Sequence, residues 1–370
     1  MNSAKKMRIA ILGTRGVPAR YGGFETCAEE IGKRLAAKGH DVLVYCRKGL
    51  YPEKKKEYCG MKLIYLPELK WKPLETLSHT FLSIFNTVGK RADIYLVFNV
   101  ANSPLLFILL LFKRKVLLNV DGFEWRRSKW SYLGKKYFKF SAWLATKLSC
   151  ELIADSHEIK RYYEEKYGRR LHYIAYGAFP QSSRNPSLLA QYGLDPQEYF
   201  LQITRFEPEN NPLLSIEAFM GLETEKKFVL VGGSNYKTHY SAQIYSVKDK
   251  RIKILGFIYN PDILRELLCN CLAYVHGNEV GGTNPALLNA MASGCFVLAR
   301  DVPFNREVLQ VGGGYFGKDI NDLREKLAWV LKYSQEAKKL AERGTRIIKE
   351  HYDWNSVVSE YEKLFNLNDS

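Results

Sequence analysis

The chain has 370 residues, 46% of them hydrophobic and 25% charged, with a formal net charge of +16. That length exceeds what one hydrophobic core usually organises, so two domains of about 150–200 residues are expected, and the ordinary apolar-to-charged balance argues against long disordered tracts. The positive balance implies an anionic partner: nucleic acid, anionic lipid or a phosphorylated substrate.

Residues 8–12 form a short apolar run that ends at Gly13, and an amphipathic helical pattern follows from Phe24 to about Gly39. This is the first βα unit of a doubly wound sheet. Further buried-strand candidates are 41–46, 94–98, 116–120 and 152–154, alternating with helical patterns, so the sheet is expected to be parallel. The most apolar stretch, 104–112, is followed at once by Lys113-Arg114-Lys115. It is too short to span a bilayer, which takes about 20 apolar residues, and reads as a buried or interfacial segment.

Between Tyr176 and Tyr199 the composition shifts to Gly, Pro, Ser, Asn and Gln, with Pro180, Pro186 and Pro196 expected to break any regular element, so the interdomain linker belongs here. A second alternation begins at 199–203 and continues through 228–231, 252–255, 272–275 and 296–299. The pattern from 323 to 365 is helical, with a break at Tyr352-Asp353-Trp354-Asn355 where Asp353 or Asn355 is available as an N-cap. The expected domains are therefore residues 1–178 and 179–350, with a helix in 351–370 returning to the first. Cysteines 27, 46, 59, 150, 269, 271 and 295 lie mostly in apolar runs with no secretory signal ahead of them, and read as reduced core thiols. Cys269 and Cys271 lack a second Cys or His pair at zinc-ligand spacing, so no metal and no cofactor is expected.

Chemistry-bearing residues gather where strands end. Gly13-Thr14-Arg15-Gly16 follows the first strand and Gly22-Gly23 opens the next helix, leaving backbone amides to face an anion or sugar. The spacing does not match G-x-G-x-x-G and no acidic residue ends the second strand, which argues against a nicotinamide cofactor. Gly281-Gly282-Thr283-Asn284-Pro285 precedes an apolar helical run and forms an anion cradle by construction, although Thr283 or Asn284 with Pro285 would serve equally as a plain helix cap. Arg205 follows the first strand of the second sheet, where a guanidinium can fork onto a diphosphate. Glu279 and Asp121 likewise follow apolar strands and would face each other from opposing domains. No Asp-x-Asp triplet occurs, so positive groups and helix dipoles must neutralise a leaving phosphate. Arg126–Lys147 interleaves cations with Trp130, Tyr132, Tyr137, Phe138, Phe140 and Trp143, a mix suited to an anionic lipid interface, to stacked bases, or to a core-facing stripe with a solvated basic face. Trp71, Phe81 and Phe85 near Lys70, Lys72 and Lys90 suggest a second such surface.

The block Gly13-Thr14-Arg15-Gly16-Val17-Pro18-Ala19-Arg20-Tyr21-Gly22-Gly23-Phe24-Glu25-Thr26 resembles the opening signature of bacterial rhamnosyltransferase-type enzymes of glycosyltransferase family 4. The resemblance continues in Asn119–Trp125 with Arg127–Trp130, in Arg205–Asn211 and in His276–Pro285. It implies a GT-B fold: two Rossmann-like domains facing across a cleft, the acceptor on the first and a nucleotide-diphosphate sugar on the second, with a C-terminal helix crossing back. It implies metal-independent transfer with retention of configuration, from dTDP-L-rhamnose in several relatives, onto a polyprenyl-diphosphate-linked sugar, at the cytoplasmic face of the membrane and with no nucleic acid partner. Arg205, Glu279 and Asp121 would be the catalytic residues. Gly13, Arg15, Gly22, Gly23, Gly281, Gly282, Thr283, Asn284, Asn289 and Asn210 would bind substrate. Asn289 stands where the family usually carries the ribose-binding second Glu of its E-x7-E motif, and Asn210 where many members carry a diphosphate-binding Lys. A UDP- or GDP-hexose donor, a nucleotide-sugar epimerase and an inactive nucleotide-sugar-binding protein are the alternatives.

Overall fold

The computed structural model describes residues 6–19, 22–71, 74–120, 122–128, 130–234 and 238–367. The chain divides into two compact units, Met1–Tyr176 with Trp354–Ser370, and Gly177–Asp353. In chain order the first unit contains β1 (Arg8–Leu12), α1 (Gly23–Ala37), β2 (Asp41–Arg47), β3 (Glu57–Tyr58), β4 (Met61–Leu66), α2 (Glu75–Lys90), β5 (Ile94–Phe98), α3 (Ser103–Leu111), β6 (Lys115–Asn119), α4 (Tyr132–Ala145), β7 (Glu151–Ala154), α5 (His157–Tyr167) and β8 (His172–Tyr173). The sheet order is β3-β4-β2-β1-β5-β6-β7-β8, parallel except for the short β3–β4 pair.

From β1 the chain steps outward to β2 and β4, then returns past β1 to β5, β6 and β7. Right-handed crossovers therefore place α1 on one face and α2, α3 and α4 on the other. With helices on both faces, β1 and β5 read as continuous apolar runs, and β5 is buried throughout.

In the second unit come β9 (Tyr199–Arg205), α6 (Pro212–Met220), β10 (Lys227–Gly233), α7 (His239–Tyr245), β11 (Ile252–Ile254), α8 (Pro261–Asn270), β12 (Ala273–His276), α9 (Pro285–Ala292), β13 (Val297–Arg300), α10 (Pro303–Leu309), β14 (Gly313–Phe316), α11 (Ile320–Lys332) and α12 (Ser334–His351). The sheet is parallel throughout, in the order β11-β10-β9-β12-β13-β14. Its core stacks Phe200, Phe219 and Phe228 against Val275 and Leu298. The last helix, α13 (Trp354–Phe365), packs on α1 in the first unit. Val357, Val358, Tyr361, Leu364 and Phe365 form its buried stripe, and the Arg34 guanidinium lies 5.9 Å from the Trp354 ring centroid.

The segment expected to be an irregular linker is regular in part. Pro186 starts a 3-10 helix, Pro186–Tyr192, because a proline at the first helical position gives up no hydrogen bond. Glu266, fully buried on α8, holds the stretch before it: its carboxylate accepts from Ser183 Oγ at 2.5 Å and from the Arg184 and Asn185 N–H groups at 2.8 and 3.1 Å. Burial pushes the Glu266 carboxyl up, but these hydrogen bonds and that from Asn270 outweigh it and hold the pKa at about 2. A depressed carboxyl contributes stability above its unfolded value near 4.5 and loses it as pH falls toward 2. Glu266→Gln is therefore expected to flatten the decline of the melting temperature over that pH window, measured by thermal unfolding of both proteins.

The cysteine reading needs one correction. Five thiols are buried and Cys269 is partly so, but Cys59 is exposed, because it sits in the β3–β4 turn with φ at 47°.

Candidate functional site

In a doubly wound sheet, ligands bind outside the carboxyl ends of the strands where the strand order reverses. In the second unit that point lies between β9 and β12, and in the first between β1 and β5.

Arg205 is the final residue of β9; it is half-buried and forms no ion pair among the described residues. The turn behind it is tied by Asn210 Nδ2, which donates to the Arg205 carbonyl at 3.0 Å, and by Gln202 Nε2, which donates to the Asn210 carbonyl at 3.1 Å. Asn210, expected to meet substrate, is buried and braces this turn. The loop after β12 docks on the same turn. A Cβ on Gly277 would lie 2.3 Å from the Asn210 carbonyl oxygen, so only glycine allows the approach. The Glu279 N–H donates to the Glu209 carbonyl at 2.9 Å, and Asn211 Nδ2 donates to the Gly277 carbonyl at 2.8 Å and to Glu279 Oε1 at 3.2 Å.

Glu279 has a stronger partner that the sequence did not reveal. Arg300, the last residue of β13 and only 4% exposed, donates from Nε to Glu279 Oε1 at 2.9 Å and from Nη1 to the Phe316 carbonyl at 3.0 Å. Asn305 Nδ2 then ties the Arg300 and Asn278 carbonyls together at 2.8 and 2.9 Å. The Glu279 carboxylate is thus fixed in place while remaining partly open to solvent. His276, which ends β12, is buried with neither ring nitrogen hydrogen-bonded among the described residues, and burial pushes its pKa down to about 3, so the ring stays neutral at ordinary pH.

At α9 the cap is Asn284 rather than Thr283, and the helix end is half-buried. Asn284 is the N-cap, its Oδ1 accepting from the Ala286 N–H at 2.9 Å, with Pro285 in the first turn. Thr283 is buried, Gly282 half-buried, and none of the described residues comes within 4 Å of a Cβ built on Gly281. Asn289, half-buried on α9, makes no side-chain hydrogen bond among the described residues. Its carbonyl accepts from Ser293.

In the first unit Gly13 has φ +82°, and a Cβ there would lie 2.2 Å from the Phe98 carbonyl oxygen, which lets the end of β1 lie against β5. Gly22 caps α1, which starts at Gly23. The loop between is held by carboxylates from α1: the Arg15 N–H donates to Glu25 Oε1 at 2.9 Å, and the Ala19 N–H to Glu29 Oε2 at 2.6 Å. Burial raises the Glu25 pKa, and the Arg15 N–H and charge draw it part of the way back. In the Asn119–Trp130 block, buried Glu124 pairs with Arg127 and accepts from Trp130 Nε1 at 2.9 Å. Asp121, Arg20, Tyr21, Lys72 and Lys129 lie outside the described residues.

Comparison with known proteins defines the class. Residues 6–179 match a domain of unknown function (DUF1972), and residues 187–347 match the glycosyl transferases group 1. The solved structure of sucrose-phosphate synthase from Thermosynechococcus elongatus superposes with a TM-score of 0.80 at 17% identity, over 97% of this chain and 98% of that one. Anabaena HepE with UDP and glucose gives 0.79 at 17%, over 98% and 100%. The α,α-trehalose-phosphate synthase (UDP-forming) from Burkholderia xenovorans with glucose-6-phosphate gives 0.72 at 11%, over 98% and 100%. At these identities the likeness is one of fold, the GT-B fold. No curated protein sequence matches the chain. The chain is a glycosyltransferase, and what its second unit is similar to over residues 187–347 is the group 1 glycosyl transferases.

Proposed function

We propose that the protein is a retaining, metal-independent transferase that moves a hexose or deoxyhexose from a nucleoside diphosphate sugar, with dTDP-L-rhamnose the first donor to test, onto a polyprenyl-diphosphate-linked saccharide at the cytoplasmic face of an anionic membrane. The observation that carries the reading is Arg205 at the strand-order reversal of the second sheet, a cation without a carboxylate partner among the described residues. It is joined through the 205–211 turn to the loop that carries Glu279. A diphosphate would seat on the Arg205 guanidinium and on the amides ahead of α9, where the helix dipole also favours negative charge. Glu279, held by Arg300 and Asn211, would accept hydrogen bonds from the hydroxyls of the donor sugar.

In the transfer, the bond from the anomeric carbon to the diphosphate oxygen breaks. The acceptor oxygen bonds that carbon on the same face, and its proton passes to the departing phosphate. Retention then needs no protein nucleophile. Charge builds on the leaving diphosphate, and fixed positive groups there act on the transition state more than on the bound substrate. Asp121, Arg15 and the glycines of the first unit would position the acceptor. HepE was solved with UDP and with UDP-glucose, which supports testing UDP-hexoses beside dTDP-L-rhamnose.

The test is release of nucleoside diphosphate from a panel of donors with and without a polyprenyl-diphosphate saccharide. Release that depends on the acceptor is expected for one donor. Donor consumption at the same rate without acceptor would favour an epimerase or hydrolase.

A further inference from the structure

Helix α3 carries no polar side chain from Pro104 to Leu111, and Phe112 extends the run. A helix apolar on every side is normally buried on every side. Here Leu106 and Leu109 face the core, whereas Phe107 is 58% exposed and Leu111 66%. Its neighbours repeat the anomaly. α3 packs between α2 and α4, on the sheet face opposite α1. The outer surface of α2 shows Phe81 and Phe85, with ring centroids 4.7 Å apart, and Trp71 stands exposed ahead of it. On α4 the outward stripe is Leu133, Lys136, Phe140 and Trp143, at the three-and-four spacing of one helix face, and exposed Lys147 follows just past the helix end. Singly exposed apolar residues are ordinary on a protein surface, but a continuous three-helix patch is not.

The charge carried by the three helices is predominantly positive. Neither α3 nor α4 contains an acidic residue, and the one on α2, Glu75, pairs with Arg47. All three helices run back along a parallel sheet, so their C-terminal ends, with Lys90, Arg91, Lys113, Arg114 and Lys147, lie at the same end of it. A second copy of the same surface would bring these cations against each other, whereas an anionic bilayer would neutralise them and take up the aromatic rings.

We infer that the outer face of α2, α3 and α4 docks the protein on anionic lipid, with Phe107, Leu111 and Phe112 of α3 as the inserted wedge. This rests on the reading of a lipid-linked acceptor, but the test uses neither donor nor acceptor. Flotation is measured with vesicles of phosphatidylglycerol and phosphatidylcholine, and with phosphatidylcholine alone, at low and high salt. The wild type is expected to float with the anionic vesicles and to be released by salt. The triple substitution Phe107→Ser, Leu111→Ser, Phe112→Ser is expected to reduce the bound fraction at least tenfold with circular dichroism unchanged. Should that variant fail to fold, Lys136→Glu with Lys139→Glu and Lys147→Glu is expected to reduce binding as strongly. Val311→Ser, an exposed apolar site in the other unit, is expected to bind as wild type does.

A wild type that stays at the bottom of the gradient overturns the proposal. So does folded α3 or charge-reversal variant that floats normally, or a wild-type dimer that the α3 substitutions convert to monomer. Protein that floats yet transfers no sugar supports the docking surface and refutes the acceptor reading.

Discussion

Arg205→Ala is expected to lower turnover of the nucleotide sugar by about 10²–10³-fold, the loss typical when one preorganised donor to a developing oxyanion is removed. Arg205 is half-buried and carries no ion pair among the described residues, so its removal leaves no buried charge behind and the melting temperature should move little. The effect should fall mainly on kcat, because the guanidinium meets more charge in the transition state than in the bound donor. Arg205→Lys should recover only part of the rate, since an ammonium cannot fork onto two phosphate oxygens. Steady-state kinetics on the three proteins decide the matter, and a near-normal kcat in folded Arg205→Ala removes the residue from the chemistry.

Glu279→Ala is expected to damage stability as well as activity. It strands the buried Arg300 guanidinium, whose Nε loses its acceptor and whose only other hydrogen bond among the described residues runs to the Phe316 carbonyl. Breaking a buried pair by removing one partner costs several kcal/mol; Glu279 is partly solvated, so about 3 kcal/mol is expected, read as a shift in the denaturation midpoint. Glu279→Gln keeps an acceptor for Arg300 and should cost less. Adding Arg300→Met to Glu279→Ala should restore part of the lost stability, because the orphaned charge is then gone. If Glu279→Ala unfolds at the wild-type midpoint, the Arg300 pair does not anchor the loop.

Much of the architecture is legible in the sequence because a parallel sheet covered on both faces needs uninterrupted apolar strands, and Ile94–Phe98 or Tyr199–Ile203 admit few other readings. The strands that escaped have a physical excuse. β4 contains Lys62 and follows the Cys59-Gly60 turn, where both residues have positive φ. β14 begins with two glycines, poor strand formers, yet a Cβ on Gly313 would lie 2.3 Å from the Val297 carbonyl oxygen. Ahead of its break at 352–355 the helical tail reads as one element because nothing in its composition marks Tyr333, where α11 gives way to α12.

Of the candidate site, the glycine loop, Arg205 and the 281–285 block stand out because their positions follow from where apolar runs stop. Arg300 obeys the same rule, closing the run 296–299, but its meaning lies in Glu279, 21 residues away, and pairing across a sheet is not written locally. Glu25 and Glu29 sit one helical turn apart on α1, a spacing that can be seen in the sequence, whereas the loop amides they hold cannot. The buried, neutral state of His276 depends on packing alone.

Calorimetric titration of UDP, dTDP and GDP into wild type and Arg205→Ala bears most directly on the pyrophosphate seat at the β9–β12 reversal. At least one nucleotide is expected to bind wild type with a Kd on the order of 1–100 μM and to bind the variant at least tenfold more weakly, about 1.4 kcal/mol. Equal affinity in the two proteins, or no binding of any of the three to wild type, would contradict it.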